Sequence, residues 1–168
     1  MTFAARSREI ITTATAVAVG VFVSLMTATV VGGVFWRYVL GNSQPWTEEL
    51  SRYLMIWSGF LGASLAVRSG AHVSLQFLSE ALPHRAGTMV RLFATLIFTA
   101  FLGFVIWQGS GLVRDTMDQV SPVLQVPMGY AYAAVPMGCA LMLFQLLFHV
   151  REELSGVIRP SLADRQDD

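Results

Sequence analysis

The sequence predicts an all-α membrane protein, with four transmembrane helices, a short amphipathic helix at the membrane interface between spans two and three, and both termini in the cytoplasm. Three observations carry this expectation. The chain has 168 residues, of which 54% are hydrophobic and 13% charged, against roughly 25% charged in soluble domains. Four apolar runs reach or approach the roughly 20 residues that cross a hydrocarbon core of about 30 Å. The arginines, which supply every basic charge because the chain has no lysine, gather on one side of such a topology. The net charge of zero gives no field that would draw nucleic acid. The single cysteine, Cys139, has no partner for a disulfide or a CxxC pair and suits a small apolar position in a helix.

The first span covers residues 10–36, which carry no charge. This run is too long for the apolar part of a signal peptide, about 7–15 residues. It ends in Phe35-Trp36-Arg37-Tyr38, an aromatic and arginine cluster suited to a membrane interface. The second span is placed at 50–68. Its uncharged part, 53–67, would make only about 22 Å of helix. The third span covers 91–113. The fourth covers 126–149, with Pro127 at its start and Pro136 as a kink in mid-span. The whole chain, 1–168, forms one four-span domain.

Between spans two and three, Val73, Phe77, Leu78 and Leu82 lie to one side of a helix over 71–82, with Ser74, Gln76, Ser79 and Glu80 on the other. That pattern fits a helix lying in the interface plane, ended by Pro83. Residues 152–168 are charged and contain Pro160, as a solvated cytoplasmic tail would. With four spans, eight arginines share the side of the termini and three lie opposite. The positive-inside rule then puts both termini in the cytoplasm.

The turn before span two is the densest cluster of charge near a membrane segment. Pro45 suits the first turn of a helix. Glu48 and Glu49 fall at the positive end of its dipole. Arg52 lies four residues after Glu48 and three after Glu49, within reach of either. To cross about 30 Å, the short second helix must recruit roughly five more residues, and this draws Arg52 and Glu49 toward the hydrocarbon edge. A charge at the bilayer centre costs about 2.5–3.5 kcal/mol on insertion scales, and glutamate has too short a stem to snorkel well. The charged turn is therefore expected to be covered by protein, either other helices of this chain or a second subunit. Trp46, Glu48, Glu49, Arg52, Tyr53 and, at the far end of the helix, Arg68 are the residues expected to brace the fold or a subunit contact.

Apart from Arg52, Arg68, Arg91 and His149, all within three residues of a span end, the four predicted spans hold no Asp, Glu, Lys, Arg or His, whereas pumps and coupled transporters usually place ionisable groups in span interiors. His72, His84 and His149 fall in loops or near a helix end. No phosphate-cradling glycine motif, HExxH pair or Ser/His/Asp set is present. No catalytic residue, cofactor or metal site is expected. The hydroxyl residues and Gln145 within spans are expected to be packing contacts, and glycines such as Gly33, Gly59, Gly62, Gly103 and Gly109 to allow close helix approach. The segment Val126-Pro127-Met128-Gly129 recurs as Val135-Pro136-Met137-Gly138. The offset of nine residues is two and a half helical turns, so the copies face opposite ways.

Arg37-Tyr38-Val39, followed by Pro45-Trp46-Thr47-Glu48-Glu49-Leu50-Ser51-Arg52-Tyr53-Leu54, resembles the small membrane subunit of the tripartite ATP-independent periplasmic (TRAP) transporters, the DctQ type. Gly59-Phe60-Leu61-Gly62-Ala63, Gly70-Ala71-His72-Val73, and Ser121-Pro122 leading to Val126-Pro127-Met128-Gly129-Tyr130 resemble the same family in order and spacing. The resemblance implies a non-catalytic scaffold subunit in the bacterial inner membrane. Its partners would be a large membrane subunit carrying the sodium and substrate sites, and a periplasmic binding protein that delivers an organic acid. Beside it stand a four-helix membrane anchor for an unrelated enzyme or redox complex, and a small autonomous channel.

Overall fold

The computed structural model describes residues 3–68 and 84–158. They form helix α1 (Phe3–Tyr38), α2 (Pro45–Arg68), α3 (His84–Asp115), a single turn α4 (Gly129–Tyr132) and α5 (Ala134–Ile158). Four stretches of these helices are long and apolar enough to cross a membrane. Among the described residues there is no strand, only an isolated bridge between Val120 and Pro127. The expected interfacial helix at 71–82 lies outside the described residues.

Local chemistry sets the ends of the first two helices. Gly41 takes φ +67, a left-handed conformation that glycine adopts without a Cβ penalty. There the chain leaves α1, with the Val39 N–H donating to the Phe35 carbonyl at 2.9 Å and the Asn42 N–H to the Trp36 carbonyl at 3.1 Å. Pro45 opens α2 as expected. The Thr47 hydroxyl donates back to the Gln44 carbonyl at 2.7 Å. Arg37 and Arg114 fall in the last turns of α1 and α3, where a cation meets the negative end of the helix dipole.

The helices stand in a row: α1 packs on α2, α2 on α5, and α5 on α3. The core lies on the α2, α3 and α5 side of this row, where Val67, Leu102, Cys139, Met142 and Leu146 pack with Phe60, Phe98 and Val105. Close approach is marked by glycine. A Cβ on Gly33 would meet the Thr47 hydroxyl at 2.7 Å, and one on Gly138 would meet the Phe60 Cβ at 2.6 Å. Gly129, the counterpart of Gly138 in the sequence repeat, instead faces α3, where a Cβ would meet Met117 and the Val113 carbonyl. The two copies do face opposite neighbours. Gly59, Gly62 and Gly103 have nothing within 4 Å of a built Cβ, so they are not contact points among the described residues.

Most span hydroxyls bond the preceding turn of their own helix. Thr15, Thr27, Thr29 and Thr99 donate to carbonyls four residues earlier, at 2.7–2.9 Å. Buried Ser64 donates to the Leu61 carbonyl at 2.6 Å. These groups need no partner from another helix. Gln145 behaves differently. It is 2% exposed, donates to the Thr12 hydroxyl at 3.0 Å and accepts from the Arg8 guanidinium at 3.3 Å. This ties the start of α1 to α5 and sets both at one end of the molecule.

The helix bounds differ from the sequence expectation in informative ways. Every span extends beyond its apolar run, because helix propagation depends on backbone hydrogen bonds that charged residues also make. α5 runs on to Ile158, past the point at 152 where a solvated tail was expected. Pro127 is outside the helix, paired with Val120. Pro136 is the third residue of α5 and the eighth of the candidate span Gly129–Phe148. The helix is interrupted three residues earlier, at Ala133, which keeps helical angles of φ −59 and ψ −23. Proline lacks the N–H that would reach the Tyr132 carbonyl, so the ladder thins in this turn. The nearby Tyr130 carbonyl accepts instead from the Trp57 indole of α2, at 3.1 Å.

Gly138→Leu should overpack the α2–α5 contact and destabilise the fold by about 1–3 kcal/mol. Gly20→Ala, where nothing lies within 4 Å, should leave stability unchanged or raise it. Thermal unfolding of the detergent-purified variants followed by circular dichroism checks both.

Candidate functional site

The charged turn is built by the first two turns of α2 and by the loop 116–128 between α3 and α4. That loop is held by its own backbone. The Ser121 N–H donates to the Val126 carbonyl at 2.9 Å and the Met128 N–H to the Gln119 carbonyl at 2.8 Å. Gln125 takes φ 54, and its side-chain amide donates to the Ser121 carbonyl at 3.0 Å.

Glu49 joins the two pieces. It is 9% exposed. One carboxylate oxygen accepts from the Val123 and Leu124 backbone N–H groups at 3.1 and 3.3 Å, 74 and 75 residues along the chain. The other accepts from the Tyr53 hydroxyl at 2.8 Å. The fully buried Ser121 hydroxyl also faces the carboxylate. An ionised carboxylate with several donors makes charge-assisted bonds stronger than neutral ones. The expected protein cover over this turn is therefore supplied, at Glu49, by the chain's own loop.

The other members are placed separately. Glu48 forms an ion pair with Arg37 of α1, eleven residues earlier, and not with Arg52. Trp46 stacks edge-on against Trp36, with ring centroids 6.2 Å apart. Arg52 is exposed and makes no ion pair or hydrogen bond with the described residues. The expected helical pairing of Arg52 with Glu48 or Glu49 does not form. Glu49 finds donors fixed by tertiary structure, which outcompete a flexible pair at a water surface, and Glu48 makes its surface pair with Arg37 across the turn. The side chain of Arg68 lies outside the described residues. Sequence reasoning missed Ser121 and the Val123–Leu124 amides. It also missed Arg37 as the partner of Glu48, although the quoted Arg37-Tyr38-Val39 stands just before the turn.

Among the described residues no group of three or more His, Cys, Asp or Glu side chains could hold a metal ion. His72 lies outside them, as do the side chains of His84 and His149. Buried polar side chains among the described residues all have partners. The arrangement can fasten helices and a loop together.

Fold and site define a multi-pass helical membrane protein whose polar groups are used to hold its own shape. The model of the family "Tripartite ATP-independent periplasmic transporters, DctQ component" matches residues 26–156. The chain belongs to this family, the small permease subunits of TRAP transporters. It is 28% identical over 116 residues to the isethionate TRAP transporter permease protein DctMQ of Oleidesulfovibrio alaskensis, covering 68% of this chain and 18% of that one. It is 29% identical over 136 residues to the ectoine TRAP transporter small permease protein TeaB of Halomonas elongata, covering 80% of this chain and 70% of that one. It is 34% identical over 112 residues to the C4-dicarboxylate TRAP transporter small permease protein DctQ of Rhodobacter capsulatus, covering 64% of this chain and 48% of that one. The match thus spans less than a fifth of the first of these relatives, a much longer permease.

Removing the Glu49 acceptor should free the loop amides. Glu49→Ala should speed hydrogen exchange at Val123 and Leu124 by about tenfold or more, as a local opening becomes cheaper. Glu48→Ala should leave those two amides unchanged. Exchange mass spectrometry on the detergent-purified protein distinguishes the two carboxylates.

Proposed function

We propose that this chain is the non-catalytic scaffold of a TRAP transporter in the bacterial inner membrane, with both termini cytoplasmic. It supports a large membrane subunit that carries the substrate and sodium sites. A periplasmic binding protein delivers an organic acid to the face where the α1–α2 turn and the loop 116–128 emerge. The observation that carries this reading is the family match over most of the chain. Four further facts support it. No Asp, Glu, Lys, Arg or His stands in the middle of a candidate span among the described residues, where a coupling site would need one unless built from carbonyls and hydroxyls. Thr27, Thr29 and Thr99 bond carbonyls of their own helices. Isethionate and C4-dicarboxylates, named for two of the relatives, are organic acids. Eight arginines on the terminal side against three opposite support the orientation. The membrane-anchor alternative has no comparable support.

Reconstitution tests the reading. Liposomes holding this chain alone should show no uptake of C4-dicarboxylate, isethionate or ectoine. Liposomes holding it with the large permease subunit of the same host, given that host's binding protein outside, should take up one organic acid when an inward sodium gradient is imposed. Concentrative uptake by this chain alone would overturn the proposal.

A further inference from the structure

Past its first two turns, α2 exposes Arg52, Met55, Gly59, Ala63 and Ala66 and keeps every other described side chain at least partly covered. The steps of three and four residues place these on one stripe of the helix. The stripe is unlike the outer faces of the two helices at the ends of the row. α1 exposes Val17, Val21, Leu25 and Val31, and α3 exposes Phe93, Leu96, Phe101 and Phe104, as lipid-facing helices do. Along the α2 stripe only Met55 is a large exposed apolar residue. A Cβ built on Gly59 meets nothing within 4 Å. Lipid chains gain no more from a bare glycine and alanine than from leucine, whereas a second helix gains close backbone approach.

The charge at the end of this stripe points the same way. Arg37 is engaged by Glu48, and Glu49 is turned to the loop amides. Arg52 lines two surface clefts on either side of α2, one with Arg37 and Ser51 and the other with Tyr53 and Pro122. Its guanidinium has five N–H donors in a fork matched to a carboxylate, and none meets an acceptor among the described residues. In the isethionate permease relative, the matched unit is 18% of one polypeptide, so a larger permease is joined to it there.

We infer that the α2 stripe is the face on which a transmembrane helix of the large permease subunit docks, with small residues packed at Gly59 and Ala63 and an acidic side chain of that subunit paired with Arg52. This rests on the proposed function, and it adds which face is used and what the partner must present there.

The test co-expresses the tagged full chain with the large permease subunit of the same host. A photo-reactive phenylalanine replaces Met55 or Ala63 in one set, and Val31, Ile97 or Phe104 in another. Cross-links to the large subunit are expected from 55 and 63 and not from the other three. Arg52→Glu should lower co-purification about tenfold, the scale of a broken interfacial charge pair. Arg52→Lys should recover part of it, and Phe104→Leu should change nothing. Thermal unfolding of each variant alone separates a lost contact from a lost fold. If Arg52→Glu does not fold, the cross-linking pattern in the unmutated background decides. Co-purification with cross-links only from α1 or α3, only to lipid, or only to a second copy of this chain overturns the inference and leaves the proposed function standing. So does an unchanged recovery of a folded Arg52→Glu variant. If the unmutated chain does not co-purify with the large subunit at all, the proposed function fails and the inference with it.

Discussion

The structure depends on one carboxylate. Glu49 sits where a membrane helix begins, nearly closed off from its surroundings, and gathers donors from Tyr53 and from two consecutive backbone amides of a distant loop. A buried carboxylate without such donors would be costly. The carboxylate in turn gives two consecutive loop amides a shared acceptor, and backbone N–H groups are strong donors that folded chains seldom leave unpaired. Each side solves the other's problem, and the solution fixes where the chain re-enters the membrane. From that fixed point follow the single turn of α4, the bond from the Trp57 indole to the Tyr130 carbonyl, and the seat of Gly138 against Phe60.

The same economy of polar groups governs the rest. Hydroxyls on α1 and α3 bond carbonyls one turn back, so the helix surface they occupy is effectively apolar. Gln145, buried in the row, has both ends of its amide occupied by α1. Arg8 lies 5.8 Å from the Phe148 ring centroid, a distance at which a cation and a ring attract. One fastening of this kind stands at each end of the molecule, Glu49 at one and Gln145 at the other. The apolar core of α2, α3 and α5 lies between them. A set of membrane helices has little hydrophobic drive to associate, since lipid is as apolar as leucine. Specific polar ties and close glycine contacts therefore carry much of the specificity.

The four spans were legible in the sequence because length and absence of charge are properties of single segments. The start of α2 was legible for the same reason: Pro45 fixes its own φ, and Glu48 and Glu49 respond to the dipole of the helix they occupy. The placement of Pro136 was harder to read. Its effect depends on where the helix begins, and that is decided by the pairing of Val120 with Pro127 and by the loop's own hydrogen bonds. The partner of Glu49 could not be read at all. Two backbone N–H groups do not reveal themselves in residue identities, since every residue but proline carries one. Arg52 shows the opposite failure. The helical spacing that makes a pair with Glu48 or Glu49 available gave no sign that both carboxylates would be engaged elsewhere.

The helices outlast the membrane they cross. α1 has 36 residues, about 54 Å of rod at 1.5 Å per residue, and α3 has 32, about 48 Å by the same rise. A hydrocarbon slab of about 30 Å accommodates such rods by tilt or by letting them stand clear of it. Either way the surplus length is helix and not slack chain. A push on the Arg8 end of α1 would travel along one unbroken rod to the turn before α2, close to the Glu49 anchor, with little loss to bending.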